Sequence, residues 1–212
     1  MSKSRVVLVD YGVGNLLSVF RAFSSFGEHV IVSSDSKVIA SADKIILPGV
    51  GAYKNAMSAL YGLNLVDVLK EASLQNKSIL GICLGMQLLL SESEEFGQSD
   101  GLDLIDGKVK KIPSTFQGEA SIKIPHIGWS AITTKGDSTE KLLNNSMSNA
   151  MYYFVHSYYA SPTNCSNVVA TANYFGVEVP AIIRSGNIVG CQFHPEKSGP
   201  HGLNLLKNFF YD

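Results

Sequence analysis

Short apolar runs without polar alternation constrain this chain more than any other feature. Val6-Val7-Leu8-Val9, Ile45-Ile46-Leu47 and Ile79-Leu80-Gly81-Ile82 each have a strand's length. A strand that is apolar at nearly every position must be buried on both faces, the condition of a parallel sheet covered by helices. The stretches between them have helix-type spacing. Leu17, Phe20 and Phe23 mark a helix over Leu16 to Phe26, closed by Gly27. After the strand His29-Val30-Ile31-Val32 come helical Ala56 to Leu60 and then Leu65 to Ser73, which Asn64 is placed to cap.

At 212 residues, 45% hydrophobic and 17% charged, the chain suits a single domain over residues 1–212 with a substantial core. No linker rich in Pro, Gly or Ser divides it. A formal net charge of −1 leaves no basic footprint for nucleic acid and no polybasic membrane patch. No apolar run approaches the ~20 residues that span a bilayer. The first strand begins at Arg5, which leaves no room for a signal peptide. Cys83, Cys165 and Cys191 are odd in number and far apart, so neither a disulfide framework nor a zinc pair is expected. These observations predict a soluble, cytoplasmic protein with no metal and no cofactor. Gly12-Val13-Gly14 resembles the start of a dinucleotide-binding loop, but Leu17 replaces its third glycine and no ribose-binding acid follows.

Ser91 to Gly101 is acidic and reads as a solvated surface loop. Beyond it the rhythm changes to short β segments: Lys108 to Ile112, Ala120 to Ile124, Tyr152 to Val155, Val168 to Tyr174, Pro180 to Arg184 and Ile188 to Phe193. Ser185-Gly186-Asn187 is a hairpin signal between the last two. An amphipathic helix, Gly202 to Phe210, ends the chain. The fold class is α/β: a mostly parallel sheet flanked by helices, with antiparallel β segments added in the C-terminal half.

Cys83 falls at the turn between the strand Ile79 to Ile82 and the helix that follows Gly85. This is the geometry of a nucleophile elbow, with a side chain exposed at a sharp strand-to-helix turn between glycines. A helix N-terminus favours thiolate over thiol, and the next backbone N–H, that of Leu84, can bind a developing oxyanion. The plainer reading is a buried structural cysteine. Gly49-Val50-Gly51 ends another strand at the same edge of a doubly wound sheet. It suits either a second oxyanion donor or an ordinary tight turn.

A thiolate nucleophile needs a histidine, and the histidine needs a carboxylate to hold its tautomer. His29 and His201 read as surface residues. His126 and His156 lie in aromatic settings and read first as structural histidines. His194 differs: it ends an apolar strand, Pro195 stiffens the bend, and Glu196 stands two positions on. Residues i and i+2 of extended chain project to one side, so Glu196 is placed to orient His194.

Gly81-Ile82-Cys83-Leu84-Gly85-Met86-Gln87 with Phe193-His194-Pro195-Glu196 resembles the class I, triad-type glutamine amidotransferases. Tyr11-Gly12-Val13-Gly14-Asn15-Leu16, Pro125-His126-Ile127-Gly128-Trp129, Tyr153-Phe154-Val155-His156-Ser157-Tyr158 and His194-Pro195-Glu196-Lys197-Ser198-Gly199 look more narrowly like the glutaminase subunit family of imidazole glycerol phosphate synthase. The resemblance covers essentially the whole chain, in order, and implies a flavodoxin-like sheet.

It also implies roles. Cys83 would attack the side-chain amide of L-glutamine, His194 would move the protons and Glu196 would hold His194. Backbone groups of Gly49, Val50, Gly51 and Leu84 would bind the oxyanion, while Gly85, Gln87, Ser157 and Tyr158 would contour the glutamine site. Ammonia would pass to a (β/α)8-barrel cyclase subunit in a heterodimer that makes imidazole glycerol phosphate and AICAR in histidine biosynthesis. Asn15, the turn 12–14, His126 and Trp129 would meet that partner. A paralogous group with the same chemistry supplies ammonia to surface-sugar amidotransferases. A cysteine peptidase or deglycase-like hydrolase would use the same elbow, but the Pro-Glu after His194 and the Gly-Met-Gln after Cys83 disfavour it. A non-catalytic binding module is disfavoured by the presence of thiol, base and orienting acid together.

Overall fold

The computed structural model describes residues 4–27, 29–115, 121–135 and 150–211. In chain order the first half holds β1 (Val6–Val9), α1 (Leu16–Ser25), β2 (Val30–Ser33), α2 (Ser36–Ala40), β3 (Lys44–Leu47), α3 (Tyr53–Gly62), α4 (Leu65–Leu74), β4 (Ser78–Ile82) and α5 (Leu84–Leu88). The second half is mostly strand: β5 (Leu90–Ser93), β6 (Ser99–Asp100), β7 (Ile105–Lys111), β8 (His126–Thr134), β9 (Met151–His156), β10 (Tyr158–Pro162), β11 (Val168–Tyr174), β12 (Val177–Ser185) and β13 (Ile188–Cys191), before α6 (Gly199–Tyr211).

Nine of the strands form one sheet in the order β2-β1-β3-β4-β13-β12-β11-β8-β9. The first five are mutually parallel, with Ile45 opposite Ile79 and Leu80 opposite Val189. Their 2-1-3-4 start, continued by a fifth parallel strand, is the flavodoxin-like order. From β13 onward the pairing is antiparallel. The remaining four strands form a second sheet in the order β10-β7-β5-β6.

Period-two alternation explains the apolar runs. Val6 and Leu8 enter one core layer with Phe23 of α1 and Leu206 and Phe209 of α6. Val7 and Val9 enter the opposite layer with Leu60 of α3, Leu69 of α4 and Leu88 of α5. Each such side chain contributes about 1.5–3 kcal/mol when fully buried. The second sheet joins this latter layer through Leu90, Ile105, Val109 and Ala160.

Several sequence expectations are corrected. Residues 91–101 are not a free loop, because β5 and β6 pair within them. Glu92 forms an ion pair with Lys108, and Glu94 accepts the Lys111 N–H at 2.6 Å. Of the strand expected over Ala120 to Ile124, residue 120 lies outside the described residues and 121–124 are not strand. Asn64 does not cap α4 with its side chain; it turns the chain in the left-handed conformation (φ 55°, ψ 35°) that asparagine tolerates. Strands β8 and β10 and helix α2 had no sequence expectation. The hairpin at residues 185–187 joins β12 to β13 as expected, with Ser185 opposite Ile188.

Candidate active site

Cys83 links β4 to α5 with φ 55° and ψ −110°, outside the regions that a non-glycine residue prefers. Such a conformation costs about 1–3 kcal/mol and persists only where its surroundings enforce it. They do so here. The Cys83 N–H donates to the Cys191 carbonyl at 2.7 Å, and the Cys83 carbonyl accepts the Gln87 N–H at 3.2 Å. Two residues on, a Cβ at Gly85 would lie 1.8 Å from the Leu47 carbonyl oxygen, so only glycine lets α5 seat on the end of β3.

His194 enters the site from β13, the neighbour of β4. The strand stops at Cys191, two residues earlier than the sequence suggests, and Gln192 and Phe193 carry the chain to His194. Glu196 then lies in a 3₁₀ turn, Pro195–Lys197, and not in extended chain. The pairing forms all the same: His194 Nδ1 and Glu196 Oε1 are 2.8 Å apart, with both side chains buried. The His194 N–H donates to the Tyr153 carbonyl at 2.9 Å, and its carbonyl accepts from Ser198 Oγ at 2.6 Å.

Nε2 of His194 makes no hydrogen bond among the described residues, yet it shares a cavity with the Cys83 sulfur and feels it electrostatically. Burial alone pushes the His194 pKa down; Cys83 and Glu196 together outweigh burial and lift it to about 9. A protonated imidazole beside the sulfur is the partner that a thiolate needs. Cys191, fully buried one strand away, contrasts: burial pushes its thiol pKa up, and Glu196 adds to the rise.

The shared cavity, about 380 Å³, opens at the carboxyl ends of β3, β4 and β13. Val50, Gly51, Leu84, Gln87, Ser157 and Tyr158 line it with Cys83 and His194. Gly49 and Gly85 do not reach the wall and serve packing instead. Gly49 lies against the Tyr11 hydroxyl, which donates to the Pro48 carbonyl at 2.6 Å and so anchors the loop after β3. Gln87 Nε2 donates to the Tyr158 carbonyl at 2.8 Å and to Gln192 Oε1 at 3.1 Å.

Three polar neighbours of the cavity or the nucleophile were not expected from the sequence. Gln192 Nε2 lies 3.8 Å from the Cys83 sulfur, and its signal was a lone amide inside an apolar run. Glu95, placed by the sequence in a solvated loop, lines the cavity and accepts the Tyr53 N–H at 2.6 Å at the start of α3. His156 lines it too. Among the described residues no group of three or more His, Cys, Asp or Glu side chains is arranged to hold a metal ion.

The residues expected at a partner face separate. Trp129 is 52% exposed on β8. Asn15 is partly exposed and caps α1, accepting the Ser18 N–H at 3.4 Å. His126 is a correction: at 1% exposure its ring is interior, stacked on Phe154 and Tyr174, with no surface to offer a partner.

The family model "Glutamine amidotransferase class-I" matches residues 7–212. The chain is 47% identical over 209 residues to imidazole glycerol phosphate synthase subunit HisH 1 of Legionella pneumophila (strain Paris), covering 97% of this chain and 98% of the relative. It is 43% identical over 205 residues to the HisH subunit of Bacillus mycoides (strain KBAB4), covering 96% and 93%. Among solved structures, a glutamine amidotransferase superposes with a TM-score of 0.73 at 15% identity over 97% of both chains. PurLQS from Thermotoga maritima does so with 0.72 at 19% identity over 99% of both. The two structures share the fold. No helix among the described residues is long and apolar enough to cross a membrane. With its elbow cysteine, its match over residues 7–212 and relatives 43–47% identical across nearly their full length, the chain belongs to the class-I glutamine amidotransferases, in the group of the imidazole glycerol phosphate synthase subunit HisH.

Proposed function

We propose that this chain hydrolyses L-glutamine to glutamate and ammonia through a Cys83 thioester, as one amidotransferase domain serving a synthase complex. The observation that carries the reading is the meeting of Cys83 and His194 in one cavity, with Glu196 bonded to the far side of the imidazole. The Cys83 thiolate attacks the side-chain amide carbon, and the negative charge passes to the amide oxygen. Backbone N–H groups of Leu84 and of the Val50–Gly51 loop stabilise that oxygen; loss of one such donor costs on the order of 10²–10³ in rate. The His194 imidazolium gives its proton to the departing nitrogen, ammonia leaves, and the γ-glutamyl thioester remains. His194 then takes a proton from water as the water attacks the thioester, which releases glutamate and restores the thiolate. Gln87, Ser157 and Tyr158 shape the pocket. Glu95 sets a carboxylate on its wall, the charge that an amino acid's ammonium group requires.

The ammonia goes to a (β/α)8-barrel cyclase subunit that makes imidazole glycerol phosphate and AICAR in histidine biosynthesis, in the cytoplasm. The names of the relatives support this acceptor over a surface-sugar amidotransferase. Trp129 and Asn15 are the residues we assign to the subunit contact. The test is Cys83→Ala in complex with the cyclase subunit. Glutamine-dependent product is lost, ammonia-dependent product persists and the complex still co-purifies. Glutamine-dependent product from that variant would reject the assignment. Wild-type turnover is expected to be low for the isolated chain and to rise with the cyclase; equal, high turnover in both would reject the gated partnership.

A further inference from the structure

His126 and His156 are buried and have no part in the proton transfers just described. They face each other across the β8–β9 ladder. Their hydrogen bonds run in one direction only. The Tyr158 carbonyl can only accept, so His156 Nδ1, 2.9 Å away, carries the hydrogen. Burial, reinforced by the neighbouring His126, pushes the His156 pKa down to about 3, and burial takes His126 down to about 4. Both rings are therefore neutral near pH 7. The bare Nε2 of His156 accepts from His126 Nδ1 at 3.0 Å, and His126 Nε2 accepts from Ser130 Oγ at 2.9 Å. The His126 ring is clamped between Phe154 and Tyr174, with centroids 4.8 and 3.9 Å away, so it cannot turn without leaving the stack.

The chain continues past Tyr158. The same carbonyl accepts a second hydrogen from Gln87 Nε2, which also reaches Gln192 Oε1. Gln192 thus turns its oxygen to Gln87 and its nitrogen to the Cys83 sulfur. We propose that His126 and His156 are positioning residues of the glutaminase site: with Ser130 they fix the Tyr158 carbonyl, and through Gln87 and Gln192 they aim an amide N–H at the nucleophile. The route starts on β8, the strand that exposes Trp129, and ends at Cys83.

The inference rests on the glutaminase reading, and its test separates the two. Measurements use the full chain with the cyclase subunit. His126→Phe keeps an aromatic ring in the stack but deletes both ring nitrogens; His126→Asn keeps a donor near the position of Nδ1. His126→Phe is expected to lower kcat about tenfold, with KM for glutamine changed less than about twofold. His126→Asn recovers most of that loss. Wild-type kcat in His126→Phe, or equal impairment in both variants, would overturn the proposal. Nitrogen-15 NMR of labelled histidine in the wild-type chain supplies a reading that no variant's folding can obscure. Both rings are expected as the Nδ1–H tautomer near neutral pH, and an Nε2–H tautomer on either ring overturns the hydrogen-bond chain. Wild-type protein that hydrolyses no glutamine with the cyclase overturns the glutaminase reading instead, while the tautomers still decide the chain.

Discussion

The imidazole of His194 and the carboxylate of Glu196 meet at 2.8 Å within one tight turn, both side chains shielded from water. A carboxylate on Nδ1 fixes the ring so that Nε2 is left for the cavity, where the Cys83 sulfur stands. Glu196 and the sulfur both favour the charged ring, and together they overcome the opposing effect of burial.

Glu196→Gln tests that balance. The folded-state pKa of His194, about 9, lies above the ordinary 6.5. The stabilisation is therefore complete below the ordinary value and is lost as pH rises through about 9. Removal of the carboxylate takes away one of the groups that raise it, so the proton leaves at lower pH. Glutamine turnover is expected to fall roughly 10²–10⁴-fold, and the alkaline limb of the pH–rate profile moves downward. A limb that stays in place while turnover falls would mean that Glu196 acts only by packing.

Gly85→Ala tests the seat of the elbow. The added Cβ meets the Leu47 carbonyl oxygen at 1.8 Å and the Leu47 carbonyl carbon at 2.8 Å, both backbone atoms of a buried strand. The expected loss is at least about 3 kcal/mol, or roughly 6–12 °C in melting temperature for a chain of this size. Gly62→Ala is the contrast: it ends α3 with nothing within 4 Å of its would-be Cβ. That variant should be neutral or gain about 0.5 kcal/mol. Similar melting curves for the two variants would contradict the close approach at Gly85.

Legibility in the sequence followed burial. β1, β3 and β4 could be read because both of their faces are covered, which removes polar residues from the run. β8 could not, because it mixes exposed Ile127 and Trp129 with interior His126, and a histidine and a glycine blur any alternation. The acidic stretch 91–101 looked solvated because charge was counted without partners; Lys108, the Lys111 N–H and the Tyr53 N–H supply them. The pairing of His194 with Glu196 was legible from spacing alone, although a 3₁₀ turn and not extended chain brings them together. Gln192 and Glu95 needed the fold. Their contacts with the Cys83 sulfur and the cavity span 109 and 12 positions of sequence, which no local pattern can report.

Glu95 is the one acidic side chain besides Glu94 and Glu92 in the run 92–95, and it alone reaches the cavity of Cys83. One carboxylate oxygen is already occupied by the Tyr53 N–H at 2.6 Å, which pins the group at the start of α3 and leaves the other oxygen for a ligand. Glutamine brings an ammonium group far from the amide that reacts, so a contact there holds substrate and transition state equally. Glu95→Gln keeps a carbonyl oxygen for the Tyr53 N–H and removes only the charge. The expected result is a KM for glutamine raised roughly 10–100-fold, the cost of a lost charge-assisted hydrogen bond, with kcat changed little. Alkylation of Cys83 by iodoacetamide, which has no ammonium group, should proceed at the wild-type rate. An unchanged KM, or a kcat loss with KM intact, would remove Glu95 from the substrate site.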